Sequence, residues 1–75
     1  MVTKPLSELE NGCRGVIAEN RAFGSISRRL YDMGFSEGAT VECVGESMLS
    51  NPRAYFVKGA VIALRNTDAC KIIIK

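Results

Sequence analysis

One stretch of this chain repeats apolar residues at helical spacing, and it is cut off after about eight residues. Ile26, Leu30 and Met33 fall at i, i+4 and i+7 and share a face. Ser25 stands ahead of them as an N-cap. Gly34 occupies the place where a Schellman cap needs positive φ, and Phe35 behind it can pack back on Leu30. A helix this short lies below the ~12 to 15 residues needed for marginal helicity in water, so its apolar face must be docked on something. The rest of the sequence is rich in strand patterns, so that something is a sheet. Arg28, Arg29 and Asp32 then point away from the docked face, with Tyr31 among them.

The remaining elements follow from alternation and turn chemistry. In "PLSELENG", Pro5 fixes the entry, Ser7 caps one helical turn and Gly12 ends it. Residues 13–19, "CRGVIAE", read as a first strand with a bulge at Gly15. Thr40, Glu42 and Glu46 alternate with Val41, Cys43 and Gly45, giving a strand with one buried face and Val44 as an apolar residue on the wet side. "SMLSNPR" is a loop, since Asn51 before Pro52 is pushed out of helical space. "AYFVK" and "VIALR" pair across Gly59-Ala60, read as a type II′ turn with glycine first. Asn66 caps a helical turn in "NTDA", and "CKIIIK" ends the chain as a buried strand. The expected fold is therefore mainly β: a small five-stranded antiparallel barrel, with one short helix after the first strand and a helical turn before the last.

Composition narrows the function. With 75 residues the chain has room for one small domain, 1–75, that buries roughly 60% of its unfolded surface,. Ten Lys plus Arg against eight Asp plus Glu leave +2 with alternating signs, which argues against a nucleic-acid-binding surface,. No apolar run is long enough for a signal peptide or a membrane span, so a cytoplasmic chain that reaches membranes only by docking is expected. There is no histidine, which removes the usual forms of catalytic zinc and of Cys-His nucleophiles,. No cofactor and no metal site are expected.

Laid out in order, the helix "RRLYDMGF", then "SEGATVEC", the hairpin, "IALR" and "ACKIII" resemble the ferrous iron transport protein A (FeoA) family from about Leu6 to Ile74. The matching positions are Arg29, Leu30, Gly34, Phe35, Gly38 and Val41, then Leu64, Arg65, Ala69 and Ile72. Where the family has a Gly-Asp-Pro turn, this chain has Ser50-Asn51-Pro52. The resemblance implies an SH3-like barrel in a bacterial cytoplasm. It implies docking on the membrane ferrous iron transporter, through its GTP-binding cytosolic part, with no catalysis. Related barrels form the C-terminal domain of iron-dependent repressors.

Each candidate residue has a sharp and a bland reading. Cys13, Cys43 and Cys70 would bind metal if they converged, but all three lie among apolar neighbours and read as small buried hydrophobes. Glu42 and Glu46 read as a solvated strand face. Arg28, Arg29, Tyr31 and Asp32 form either a docking surface or the wet side of a helix, and a module without an active site favours docking, where Arg and Tyr are enriched. Met48 and Leu49 either anchor a partner or tuck under the barrel, and Arg53 closes that second candidate surface. Arg65 reads as paired with a nearby carboxylate. Three functions from different classes remain: a transporter-docking module, a small nucleic-acid-binding barrel, and a stand-alone regulatory domain. Tyr55 and Phe56 face opposite sides of a strand and give no paired stacking platform, which counts against the second.

Overall fold

The computed structural model describes residues 3–44 and 52–75. Its elements are β1 (Lys4–Pro5), a 3-10 turn (Leu6–Glu8), β2 (Arg14–Asn20), α1 (Gly24–Asp32), β3 (Thr40–Cys43), β4 (Arg53–Val57), β5 (Ala60–Leu64), α2 (Asn66–Ala69) and β6 (Ile72–Ile74). Six strands, not five, form one antiparallel sheet in the order β1-β6-β2-β3-β4-β5. The added strand is β1, with Lys4 opposite Ile74 and Pro5 opposite Ile73. Proline lacks the N–H needed for a ladder on both sides, and an edge is where a strand tolerates it.

β2 bends the sheet because it serves two partners. Its first half pairs with β3 through Arg14–Glu42, Gly15–Val41 and Val16–Thr40, and its second half pairs with β6. The register slips between Ile17 and Glu19, so the irregularity against β6 falls there and not at the expected Gly15. Gly15 is required for another reason: a Cβ there would meet Ile74 Cδ1 at 2.9 Å and Ile74 Cβ at 3.3 Å. A second irregularity opens the strand. Gly12, at φ +84°, donates to the Cys43 carbonyl while Cys43 donates to that of Cys13, so two residues oppose one,.

The helix stop is the one expected. Phe35 N–H donates to Leu30 O (2.9 Å) and Gly34 N–H to Tyr31 O (3.0 Å), with Gly34 at φ +104°, which together are the Schellman pair,. The start differs. Phe23 stands at the N-cap, no side chain caps the helix, and Ser25 lies inside the first turn. Ser7 is likewise inside its turn, where the 3-10 turn starts from Pro5 without a side-chain cap, and α2 starts from Arg65 with Asn66 already helical. The β4–β5 hairpin turns at Lys58-Gly59, since Val57 pairs with Ala60. Both turn residues have positive φ, +48° and +82°, so this is a type I′ turn one residue earlier than the expected type II′,.

The core sits inside the curl of the sheet. Leu6, Ile17, Leu30, Phe35, Val41, Tyr55, Val57, Ile72 and Ile74 are all buried, with Met33 and Ile62 packed on them. Each fully buried side chain of this size contributes roughly 1.5 to 3 kcal/mol. Of the three cysteines only Cys43 is in the core; Cys13 and Cys70 are exposed, against expectation. Cys13 ends a turn, and Cys70 caps α2 with its thiol donating to the Thr67 carbonyl at 3.2 Å.

Candidate protein-docking surface

The amphipathic stripe of α1 is only partly docked. Leu30 is buried and Met33 packs on the core, but Ile26 remains 36% exposed. Arg28, Arg29, Tyr31 and Asp32 are all exposed. Tyr31 has a fixed direction, because its hydroxyl donates to both carboxylate oxygens of Glu37, at 2.8 and 3.0 Å. This bond spans the helix stop and ties the last turn of α1 to the bend before β3. It holds the Tyr31 hydroxyl above its ordinary pKa, while the Glu37 carboxyl is held below its own first by its own backbone N–H and then by Tyr31,. Just before the helix, Phe23 is 86% exposed, the most exposed large apolar side chain among the described residues.

Arg53 is held by the fold. Its guanidinium donates to the Ser7 carbonyl (2.8 Å), the Leu9 carbonyl (2.6 Å) and the Cys43 sulfur (3.0 Å), and stands 6.0 Å from the centroid of the Tyr55 ring. β4 supplies the arginine and the N-terminal turn supplies the acceptors, so a charged side chain pins residues far apart in sequence. Next to it, the buried Tyr55 hydroxyl makes no hydrogen bond of good geometry among the described residues, the nearest charged group being the Arg53 guanidinium. Burial pushes that hydroxyl above its usual pKa, and the Arg53 charge offsets part of the rise. Met48, Leu49 and Glu46 lie outside the described residues.

The outer face of the sheet carries one continuous row: Arg14 opposite Glu42, Glu42 opposite Phe56, and Phe56 opposite Val61. Arg14 and Glu42 form an ion pair at 3.3 Å, while Phe56 and Val61 are 43% and 64% exposed. Tyr55 turns inward and Phe56 outward, so this strand presents one aromatic to solvent. On the other side of β5, a groove of about 180 Å³ runs between α1 and the strand, lined by Ile26, Arg29, Leu30, Met33, Leu64 and Arg65 among others. Arg65 is in no ion pair among the described residues, where the expectation was a local carboxylate; the pairs are Arg14–Glu42 and Arg21–Glu19. Asp68 does line the same groove, yet no bridge forms.

Among the described residues no three His, Cys, Asp or Glu side chains stand together as a metal site. No helix among them is long and apolar enough to cross a membrane.

A family model, the FeoA domain, matches residues 4–75. The chain belongs to that family. A curated relative, the Fe(2+) transport protein A/Fe(2+) transporter FeoB fusion protein of Porphyromonas gingivalis, is 36% identical over 67 residues, which is 89% of this chain and 8% of that protein. Among solved structures, iron(II) transport protein A from Clostridium thermocellum superimposes with a TM-score of 0.89 at 28% identity, over 95% of this chain and 44% of that one. The FeoA of Stenotrophomonas maltophilia, an SH3 domain protein solved with zinc, gives 0.83 at 26% identity, over 100% and 91% of the two chains. The fold is thus SH3-like and the family is one of ferrous iron transport. A manganese-dependent transcriptional repressor shares the fold alone, at 16% identity and a TM-score of 0.84 over 96% of this chain and 40% of its own.

Proposed function

We propose that this FeoA domain is a non-catalytic accessory module of ferrous iron uptake, working in the cytoplasm by docking on the GTP-binding cytosolic part of the membrane ferrous iron transporter. The observation that carries the reading is the relative in which a FeoA-like region and the transporter are one polypeptide. A permanent covalent link between two functions has use only if they work side by side. What the surface offers agrees: arginines and tyrosine on α1, and beside them a groove in which Ile26, Met33 and Leu64 stand with Arg29, Arg65 and Asp68. Arg28, Arg29, Tyr31 and Asp32 form the wall of the docking surface nearest the helix, and Met48, Leu49 and Arg53 belong to a second candidate surface. Of the latter three, Arg53 has its nitrogens committed to the Ser7 and Leu9 carbonyls, which favours the helix side.

The test is direct binding of the purified chain to the transporter's cytosolic domain, by calorimetry, with and without guanine nucleotide. The expected result is saturable binding whose affinity changes with the nucleotide. A double variant, Arg28→Glu with Arg29→Glu, is expected to melt like the parent and to bind at least tenfold more weakly, since surface reversals cost only about 0.5 kcal/mol in stability but turn attraction into repulsion at a contact. Absence of binding at high micromolar concentration under all nucleotide conditions overturns the reading.

A further inference from the structure

The edge of the sheet carries an inference that deepens the docking reading and rests on it for the source of its ligand. Among the described residues β5 is the last strand of the sheet and pairs only with β4. Its sequence, Ala60-Val61-Ile62-Ala63-Leu64, has neither charge nor proline. Proteins usually blunt such an edge with lysine, proline or a bulge, because it is a template for another strand. Here β5 stays in register with β4 along its whole length.

The hairpin decides which backbone groups are open. A two-residue turn makes its flanking pair, Val57 and Ala60, hydrogen-bonded, and the pairs alternate from there. Tyr55–Ile62 and Arg53–Leu64 are therefore bonded pairs, while Val61 and Ala63 aim their N–H and C=O groups out of the sheet. The far side of β4 agrees, since its complementary residue Ala54 accepts from Val44 N–H at 3.0 Å. Among the described residues, no backbone hydrogen bond outside the hairpin reaches Val61 or Ala63.

On one side of this edge lies the outer face with Phe56 and Val61, and on the other lies the groove against α1, floored by Ile26, Met33 and Leu64. A strand laid on β5 would send alternate side chains to these two sides, apolar ones over Phe56 and Val61 and charged ones toward the groove,. Arg29 and Arg65 flank the groove, and neither is in an ion pair among the described residues; Asp68 is the one carboxylate on its lining. The charge complementary to that rim is negative.

We propose that β5 is a strand-addition site for an extended peptide segment of a partner protein in which apolar residues alternate with Asp or Glu. Its main chain bonds to Val61 and Ala63, its apolar side chains cover Val61 and Phe56 on the outer face, and its carboxylates face the α1 groove, where one meets Arg29 or Arg65. The two arms of the test use the synthetic peptide acetyl-Val-Glu-Val-Glu-Val-Glu-Val-amide, with its Val-Lys counterpart as control, and the transporter's cytosolic domain. Followed by ¹⁵N amide shifts, the acidic peptide should perturb Val61 and Ala63 first and slow their hydrogen exchange at least tenfold, and the lysine peptide should not. Arg65→Glu should weaken the acidic peptide at least fivefold while the shifts of core amides stay unchanged, and Ala63→Pro, which deletes one open donor at an edge, should abolish it. Acidic-peptide binding elsewhere, equal binding of the two peptides, or no shifts at millimolar peptide overturns the proposal. Concentration-dependent protection of Val61 and Ala63 without any peptide also overturns it, because the occupant is then a second copy. If the transporter domain binds but protects other amides, the strand-addition site falls and the docking reading stands; if the peptide takes the edge and the domain does not bind, the docking reading falls alone.

Discussion

Replacing Arg53 should cost this chain more stability than any other single change on its surface. The guanidinium makes two hydrogen bonds to main-chain carbonyls, at 2.8 and 2.6 Å, from a half-buried position. Hydrogen bonds to charged groups are worth about 1.5 to 3 kcal/mol each, and partial solvent access lowers that. A loss of about 2 to 4 kcal/mol is therefore expected for Arg53→Met, which keeps most of the apolar stem over Tyr55. Arg53→Lys keeps the charge but offers no fork, so it should recover about half. For a domain of this size ~1 kcal/mol moves the melting temperature by about 4 to 8 °C, so the methionine variant should melt lower by at least ~8 °C. Urea melts give the free energy, and amide exchange at Leu9, whose N–H is bonded to Leu6 O at 3.0 Å, reports whether the N-terminal turn loosens first. If Arg53→Met unfolds within about 0.5 kcal/mol of the parent, the arginine is not what holds that turn, and its place at a partner surface regains force.

Tyr55→Phe should change stability by less than ~1 kcal/mol in the same melts, because the buried hydroxyl makes no hydrogen bond of good geometry among the described residues,; a larger loss reveals a bond. Gly34→Val should destabilise by ~1 to 2 kcal/mol and Gly34→Asn by less, as the residue sits at φ +104° while a Cβ there would make only ordinary contact with Lys58,. The Tyr31–Glu37 bond should give a pH signature. The lowered Glu37 pKa contributes stability present above its ordinary value of 4.5 and lost as pH falls through the folded value. The raised Tyr31 pKa contributes stability present below 10.0 and lost as pH rises through its own,. The difference in melting temperature between the parent and Tyr31→Phe should therefore be greatest between those limits and shrink at both ends; a pH-independent difference refutes the bond.

How far the chain could be read in advance depends on how local each feature's cause is. The helix stop at Gly34-Phe35 is local, since a single glycine and the apolar residue after it determine both Schellman bonds. The inward and outward alternation of Val41, Cys43, Tyr55 and Phe56 is local too. Gly15 is not: its lack of a side chain answers to Ile74, which arrives from the far end of the chain, so sequence alone made it a bulge. β1 is two residues long and has no period to detect. The hairpin turns one residue before the place where its glycine alone would put it, because Lys58 takes a left-handed conformation that lysine rarely adopts,. On the surface, exposed Arg28 and Arg29 were legible from helical spacing. The open edge of β5 was not, since which strand ends a sheet is a property of topology.

Lys4 stands opposite Ile74, so the polypeptide enters and leaves this structure through neighbouring strands. Seen from outside, the domain behaves as a bead threaded on a doubled cord: whatever precedes Lys4 and whatever follows Ile74 emerge at the same spot, on the opposite end of the strand order from β5. A pull on either terminus is thus borne by the same two paired strands, β1 and β6.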